Sequence, residues 1–409
     1  MRRNPERLAW LVLLVSSSLC VVLAIGGPLG VRAAVRAATT QQDVTLEVQR
    51  GTLRVRLEGL GEWIAVDQAR EGILDRTVVG TGEGQGRLVV RAPGESGAVV
   101  AWIQLYEATE VVLARARSPI FEISDLPHRV VLEVSTGRVL VSVAGENGRA
   151  SEAEVHTPHG AATMGEGSYE IVVDEVDTKM TVRRGWAEVS DRLVAEGQRV
   201  VIDDQMIAEV LPAVENLMVN GDFSQGLEGW TTFTDREDPQ QPLPEIAIES
   251  VEGLQAVSFR RTGMNAAEAG ITQVVDEYVG GEQFLELRVN LMIESHSLPV
   301  CGSVGSECPV MVRIEYIDGQ GGQRQWLQGF YSLANPPGME NPMVCTTCSE
   351  PFRHIHIPTA TWHSFLSGNL ILLLGQDGQP PITIREITIY ASGHEFDALV
   401  TGVELLPGD

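Results

Sequence analysis

The sequence predicts an all-β protein behind a single N-terminal transmembrane helix, and three observations point there. The pattern Val-x-x-Gly-x-(apolar)-x-Val recurs at Val48, Gly51, Leu53, Val55; at Val134, Gly137, Val139, Val141; and at Val182, Gly185, Ala187, Val189, with a weaker copy at Val194, Gly197, Arg199, Val201. Each glycine precedes an alternating run, which is how a chain writes a turn followed by a half-buried strand. Leu8 to Val31 carries no charge. Short alternating segments bounded by Gly and Pro then fill the remainder, so a stack of hairpins is expected, with no long helix.

The apolar run LAWLVLLVSSSLCVVLAI, finished by GGPLGV, is long enough to span a bilayer. Arg2, Arg3 and Arg7 precede it and favour a cytoplasmic N-terminus. The expected order is a short cytoplasmic tail at 1–7, a signal-anchor at 8–31, a linker at 32–42 and two outer domains at 43–211 and 212–409. The chain is then a single-pass protein of the cell membrane with its bulk extracytoplasmic. The rival is a cleaved secretion signal, with small residues around Ala33 and Ala37 near a cut. The apolar stretch exceeds the roughly 7–15 residues usual for such signals. Cys20 reads as apolar filler, and the leucine before it argues against lipid attachment.

Four hundred and nine residues exceed what one core usually serves. The 55 acidic against 30 basic residues give a formal charge of -25, which repels nucleic-acid backbones, so no nucleic-acid partner is expected.

The first outer domain opens with TLEVQRG, TLRVRLEG, EWIAVDQA and RLVVRAPG, then the more continuously apolar AVVAWIQLY, a core strand. After the polar turn at 144–153 come VHTPHGAATMG, SYEIVVD, KMTVRRG, WAEVSD and RVVID. Thr157-Pro158-His159-Gly160, then Met164 to Ile171, then Thr181 to Val189 and the closing Ala195-Glu196-Gly197-Gln198 resemble the ordered motifs of FecR-type extracytoplasmic domains. The resemblance covers about residues 43–203. Gly165-Glu166-Gly167-Ser168-Tyr169 is one residue longer than the family's Gly-Thr-x-Phe step, and a bulge can absorb the extra residue. Membrane regulators of that family carry a cytoplasmic segment that holds a sigma factor. Seven residues before the apolar run cannot fold such a module, so the resemblance is carried over for the outer domain only.

Asp204 to Glu215 reads as a boundary. NLMVNGDFSQGLEGW at 216–230 resembles the first strand of galactose-binding-like or carbohydrate-binding-module-like jelly rolls, with Phe223 inward and Trp230 following. Further strands fall at 270–275, 284–289, 311–316 and 382–390. The closing Gly393-His394-Glu395-Phe396-Asp397 leads to the last one. This likeness covers about residues 216–407. It implies a β-sandwich jelly roll and, between its opening and closing strands, a structural calcium site with Asp222 and Asp397 as ligands to test. Both aspartates read equally well as turn formers.

Cys301, Cys308, Cys345 and Cys348 are spaced C-x6-C and C-x2-C. Outside the cell they are expected as two disulfides, with three connectivities open. A four-thiolate zinc site is the alternative. His354 and His356, with His363 nearby, could face one side of a strand and hold a metal, or be surface histidines at a loop–strand junction. Trp230 and Trp362 read as core. Trp326, after the DGQGGQR turn, with Phe330 and Tyr331, is the candidate sugar-stacking platform. No Gly-x-Ser-x-Gly elbow and no His-Glu-x-x-His helix occurs in the sequence.

The expectation is a non-enzymatic, membrane-anchored binding or scaffold protein whose partner is a glycan or another component of the cell envelope. Two alternatives stay open: a FecR-like sensor or regulator acting through a separate membrane or envelope protein, and an envelope hydrolase.

Overall fold

The computed structural model describes residues 27–408 except 60, 95–96, 145–148, 204–207, 214–215, 300, 303–306, 334–344, 350–352 and 377. Before residue 27 it describes 10, 13–18, 20 and 24. No helix among the described residues is long and apolar enough to cross a membrane, and residues 8, 9, 11, 12, 19, 21–23, 25 and 26 of the expected span lie outside them. The expected linker is corrected. Residues Gly27–Ala37 form a helix, α1, and Thr39–Gln41 a strand, β1. GPLGVRAAVRA is rich in alanine, the strongest helix former. The small residues that read as a tether are a helix and the first ladder of the outer domain.

The strands that follow are β2 (Asp43–Arg50), β3 (Leu53–Arg56), β4 (Ile64–Val66), β5 (Thr77–Gly80), β6 (Gln85–Arg91), β7 (Val99–Leu105), β8 (Glu110–Pro119) and β9 (His128–Val143). Then come β10 (Ser151–Thr157), β11 (Gly160–Met164), β12 (Gly167–Val173), β13 (Asp177–Arg184), β14 (Trp186–Val189), β15 (Arg192–Ala195), β16 (Gln198–Asp203) and β17 (Ala208–Pro212). They make two layers. One runs β4-β3-β5-β8-β9-β10-β11-β14-β15, with β1 on β8 beside β5. The other runs β2-β6-β7-β9-β12-β13-β16-β17. Strand β9 serves both: up to Thr136 it pairs with β8 and β10, and from Gly137 onward with β7 and β12.

The repeated glycines are therefore not hairpin turns. Gly51, Gly137, Gly185 and Gly197 each stand where the chain passes from one layer to the other, with φ of 70°, 96°, 89° and 74°. At Gly137 a Cβ would meet the Thr109 Cα at 2.5 Å, and at Gly185 the Glu166 carbonyl at 2.4 Å. Glycine is required there both for positive φ and for close approach. Val55, Val134, Val139, Val141, Val182, Ala187 and Val189 all enter the core between the layers. In the fourth copy Val200 and Ile202 enter instead and Val201 is only half-buried. The extra residue before Tyr169 is taken up as a register shift between Ser168 and Tyr169. The buried Tyr169 hydroxyl then donates toward the Trp186 and Gly165 carbonyls at 2.9 and 3.0 Å.

The second half is a two-sheet sandwich. Its elements are β18 (Thr231–Arg236), β19 (Glu245–Val251), β20 (Leu254–Arg261), β21 (Ala267–Tyr278), β22 (Leu285–His296) and β23 (Cys308–Asp318). There follow β24 (Gln323–Tyr331), β25 (Ile355–His356), β26 (His363–Leu366), α2 (Leu370–Leu374), β27 (Pro381–Gly393) and β28 (Phe396–Pro407). One sheet is β18-β21-β27-β23-β24-β25, the other β19-β20-β28-β22-β26. All pairings are antiparallel except β24 with β25. The 216–230 segment forms turns rather than a first strand. It is tied to β28 by Leu217 N–H to the Leu405 carbonyl and Val403 N–H to the Gly221 carbonyl, both 2.9 Å. Phe223 and Trp230 point inward, 5.5 Å apart between rings. LILLL is the helix α2, capped by Asn369, whose Oδ1 accepts from Ile371 N–H at 3.0 Å.

The cysteines pair locally, Cys301–Cys308 and Cys345–Cys348. Inside the first loop Glu307 is fully buried. Its carboxylate accepts from the Ser297, Leu298, His394 and Glu395 amides at 2.7 to 3.0 Å. Burial alone would raise its pKa. The His296 ring 3.7 Å away and the hydrogen bonds from the Glu395 and Leu298 amides overcome this and hold it at about 2.

Candidate functional site

The outer face of the five-stranded sheet lies against the outer face of the β2–β17 layer of the first domain. Along one edge the contact is apolar: Leu254 packs both with Ala256, Met292, Trp362 and Leu399 and with Val89, Val99 and Trp102. Strand β22 supplies the rest because LELRVNLMIE alternates. Leu285, Leu287, Val289, Leu291 and Ile293 enter the sandwich core, which leaves Glu286, Arg288, Asn290 and Met292 on the domain-facing side.

Three arginines and three glutamates join the domains there. Arg138 Nε meets Glu170 at 2.5 Å, and Arg138 also reaches Glu286 at 3.4 Å. Arg183 pairs with Glu170 and, at 2.6 Å, with Glu404. Arg288 reaches Glu170 at 3.1 Å and Glu286 at 2.7 Å. Burial would push the Glu170 carboxyl up, but Arg183, Arg288 and Arg138 together hold it far below the usual carboxylate range. Tyr106, with the Arg138 guanidinium 4.8 Å from its ring centre, is raised by burial to about 12 and stays a neutral phenol. Two smaller contacts flank the network. Glu252, in the β19–β20 turn, sits between Arg87 at 3.1 Å and Arg91 at 2.6 Å. The Gln49 amide donates to the Trp362 carbonyl at 2.5 Å.

Beside the network the two faces part and leave a cleft of 430 Å³. Trp102, Tyr106, Leu140, Ser142 and Ser168 line it from the first domain, and Gln255, Asn290, Ser364 and Thr401 from the sandwich, with Arg183, Arg288 and Glu404 also on its wall. Asn216, Asn220, Asp222 and Gln225 complete the lining. The volume lies in the range of small-molecule sites. The chemistry is the exposed edges of two largely buried rings, Trp102 and Tyr106, with amides, hydroxyls and the guanidiniums of Arg183, Arg184 and Arg288, which suits a ligand rich in hydroxyl groups. The carboxylates are already engaged. Glu404 is held by Arg183, Asp222 by Arg184 at 3.2 Å, and Glu196 accepts from the Gly185 amide at 3.3 Å.

The expected site residues fall elsewhere. Trp326, Phe330 and Tyr331 are no surface platform. Trp326 and Phe330 are in the sandwich core, Phe330 packing edge-on against Phe365, and Tyr331 is buried beside Cys301 and Met311. Strand β24 turns these rings inward because its polar positions Gln323, Arg324 and Gln325 take the exposed end. Asp222 and Asp397 are not brought together. The turn holding Asp222 is bonded to Val403, and Asp397 lies six strand residues earlier, about 20 Å away. Asp397 holds Arg260 at 3.0 Å.

His354 and His356 part as well. His354 is buried between the two disulfides, accepting from Gly329 N–H at 2.9 Å and meeting Thr347 Oγ1 at 2.8 Å. His356 is exposed against Tyr331. His363 is buried near Phe330. The sequence did carry one signal for the cleft: Arg288 and Asn290 interrupt a central strand, and Arg183 interrupts KMTVRRG. What they face belongs to another domain, which strand periodicity does not reveal.

No family model matches the sequence, and no curated protein matches it. Among solved structures the chain is similar to TmCBM61 in complex with beta-1,4-galactotriose, at 12% identity and a TM-score of 0.27, over 47% of this chain and 99% of that one. It is similar to the family 11 carbohydrate-binding module of a Clostridium thermocellum cellulosomal cellulase, at 15% identity and 0.26, over 48% and 96%. It is also similar to an assigned anti-sigma factor of Parabacteroides distasonis, at 14% identity and 0.24, over 40% and 68%. With TM-scores this low, the strand pairings define the fold and these likenesses add nothing to it.

Proposed function

We propose that the protein is a membrane-anchored, extracytoplasmic binding protein without catalytic activity, which takes a glycan of the cell envelope in the cleft between its two domains. The observation that carries this reading is the cleft's lining. Trp102 offers an aromatic edge, Gln255, Asn290, Ser364 and Thr401 offer amide and hydroxyl groups, and the carboxylates are committed to arginines or a backbone amide. Sugars are held by this combination of apolar contact with a ring and hydrogen bonds. Acid–base catalysis instead asks for a carboxyl free to titrate. The apolar run at Leu8 to Val31 supplies the anchor.

A glycan array probed with the full chain in detergent tests the ligand class. Asn290→Ala and Trp102→Ala should weaken the glycan signal about tenfold, and Tyr278→Ala, exposed away from the cleft, should leave it unchanged. Equal binding by all of these chains would place the site elsewhere, and no binding to any glycan would remove the ligand class. Protease added to intact cells tests the anchor: it should digest the bulk of the chain and spare the extreme N-terminus.

A further inference from the structure

The segment between β8 and β9 is built inside out. In IFEISDL, between Pro119 and Pro127, the side chains of Ile120, Phe121, Ile123 and Leu126 are 53%, 43%, 55% and 42% exposed. The backbone carbonyls of the same loop are gathered by one cation. Arg149 reaches in with one guanidinium nitrogen to the Ser124 and Leu126 carbonyls at 2.5 and 2.7 Å, and with the other to those of Glu122 and Phe121 at 3.3 and 3.4 Å. The Ser124 amide donates back to the Phe121 carbonyl at 3.0 Å. One cation thus satisfies four carbonyls of a single turn and holds four apolar side chains outward. A cluster of exposed apolar groups on a fastened loop marks a contact surface.

The same loop is tied to the end of α1. Ile120 N–H donates to the Ala38 carbonyl at 3.1 Å, Ser124 Oγ to the Arg36 carbonyl at 2.5 Å, and Asp125 lies 3.9 Å from Arg36. Helix α1 takes in the end of the uncharged Leu8–Val31 run, and its seven residues from Val31 to Ala37 rise only about 10 Å. Wherever Val31 leaves the hydrocarbon, the loop is within one short helix of it.

We propose that the 120–126 loop seats its four apolar side chains in the interfacial layer of the bilayer that receives the Leu8–Val31 segment, a second, shallow contact beside the span. This rests on the anchoring reading above. Glu122 and Asp125 stand on the loop, so the contact is apolar and owes nothing to anionic headgroups. It would also set how the two β domains stand on the membrane.

The test uses the full chain with Cys20→Ser, which removes the one thiol outside the disulfides. Ile123→Cys, or Met264→Cys in the exposed sandwich turn, is labelled with an environment-sensitive fluorophore. The chain is reconstituted into phosphatidylcholine vesicles with and without lipids brominated near the headgroup. Expected are co-flotation of both chains, a blue-shifted Ile123 label quenched about twofold by the brominated lipid, and an unquenched Met264 label. Phosphatidylglycerol should not increase the quenching. Co-flotation with an unquenched Ile123 label overturns the loop proposal and leaves the anchor standing, the result a protein partner for this loop would also give. Failure to co-float overturns the anchor, and this contact with it.

Discussion

The two outer domains solve the same problem with different side chains. The first builds its core from Val, Leu, Ile, Ala and Met around one aromatic residue, Tyr169. The sandwich core holds Phe223, Trp230, Phe259, Tyr316, Trp326, Phe330, Phe365 and Phe396. The four disulfide-bonded cysteines all lie in the sandwich. The layers of the first domain exchange strands at four glycine corners, so small branched residues fill a thin, continuous core. The sandwich has longer strands and long loops, and it needs large rings to fill its interior and cross-links to hold its loops. Stability in the first domain should be spread over many small contributions, and in the sandwich concentrated at a few large ones.

Deleting one ring should show the contrast most strongly. Phe330→Ala should cost the sandwich about 3–5 kcal/mol, and Val141→Ala in the first domain distinctly less, because a smaller cavity is left. Calorimetric transitions of equal displacement would break the comparison.

Next in size is the seam. Glu170→Ala leaves Arg138, Arg183 and Arg288 facing one another between the domains, which should cost about 3–5 kcal/mol. It should also widen the separation between the unfolding transitions of the two domains. An unchanged separation would mean that the network is not what couples them.

Acid should act on the sandwich before the first domain. Burial presses both His363 and His354 from 6.5 down to about 4. A histidine whose folded pKa is lowered contributes fully above its unfolded value and loses that contribution as pH falls toward the folded one. From pH 7 to pH 5 each should therefore cost about 2 kcal/mol. Glu307, held at about 2, keeps its contribution until pH falls below 4.5, so it does not enter this window. In the first domain His128 is also lowered by burial, so that transition should move too, by less. A larger acid shift in the first domain would contradict the assignment.

The disulfides give a term of the same size. Their closed loops are short, and reduction should cost the sandwich about 2 kcal/mol per bond while leaving the first domain's transition in place.

The all-β class, the inward Phe223, the bonding of the four cysteines as disulfides and the bulge before Tyr169 were legible in the sequence, because each is written within a few residues; which cysteine pairs with which was not. The corners were legible as glycines but not as corners. A positive-φ glycine before an alternating run reads the same whether the chain folds back beside itself or crosses to a second layer. The 27–41 segment misled because small residues carry no periodic signal. The cleft was the least legible part. Arg288 meets Glu170, and Arg183 meets Glu404, across more than a hundred residues of chain. The aromatic residues that looked free for a ligand, Trp326 and Phe330, were instead needed by the sandwich core.

The central claim is that the binding site belongs to both domains at once, and calorimetry of the full chain with the glycan selected on the array tests it most directly. The account predicts that saturating ligand raises the unfolding temperatures of both domains together, by about 2.7 kcal/mol of added stability at a hundredfold excess over Kd. It also predicts that Asn290→Ala, with its roughly tenfold weaker binding, cuts both shifts by half, to about 1.4 kcal/mol, at the same ligand concentration. A ligand that stabilises the sandwich alone, with the first domain unmoved, would contradict it.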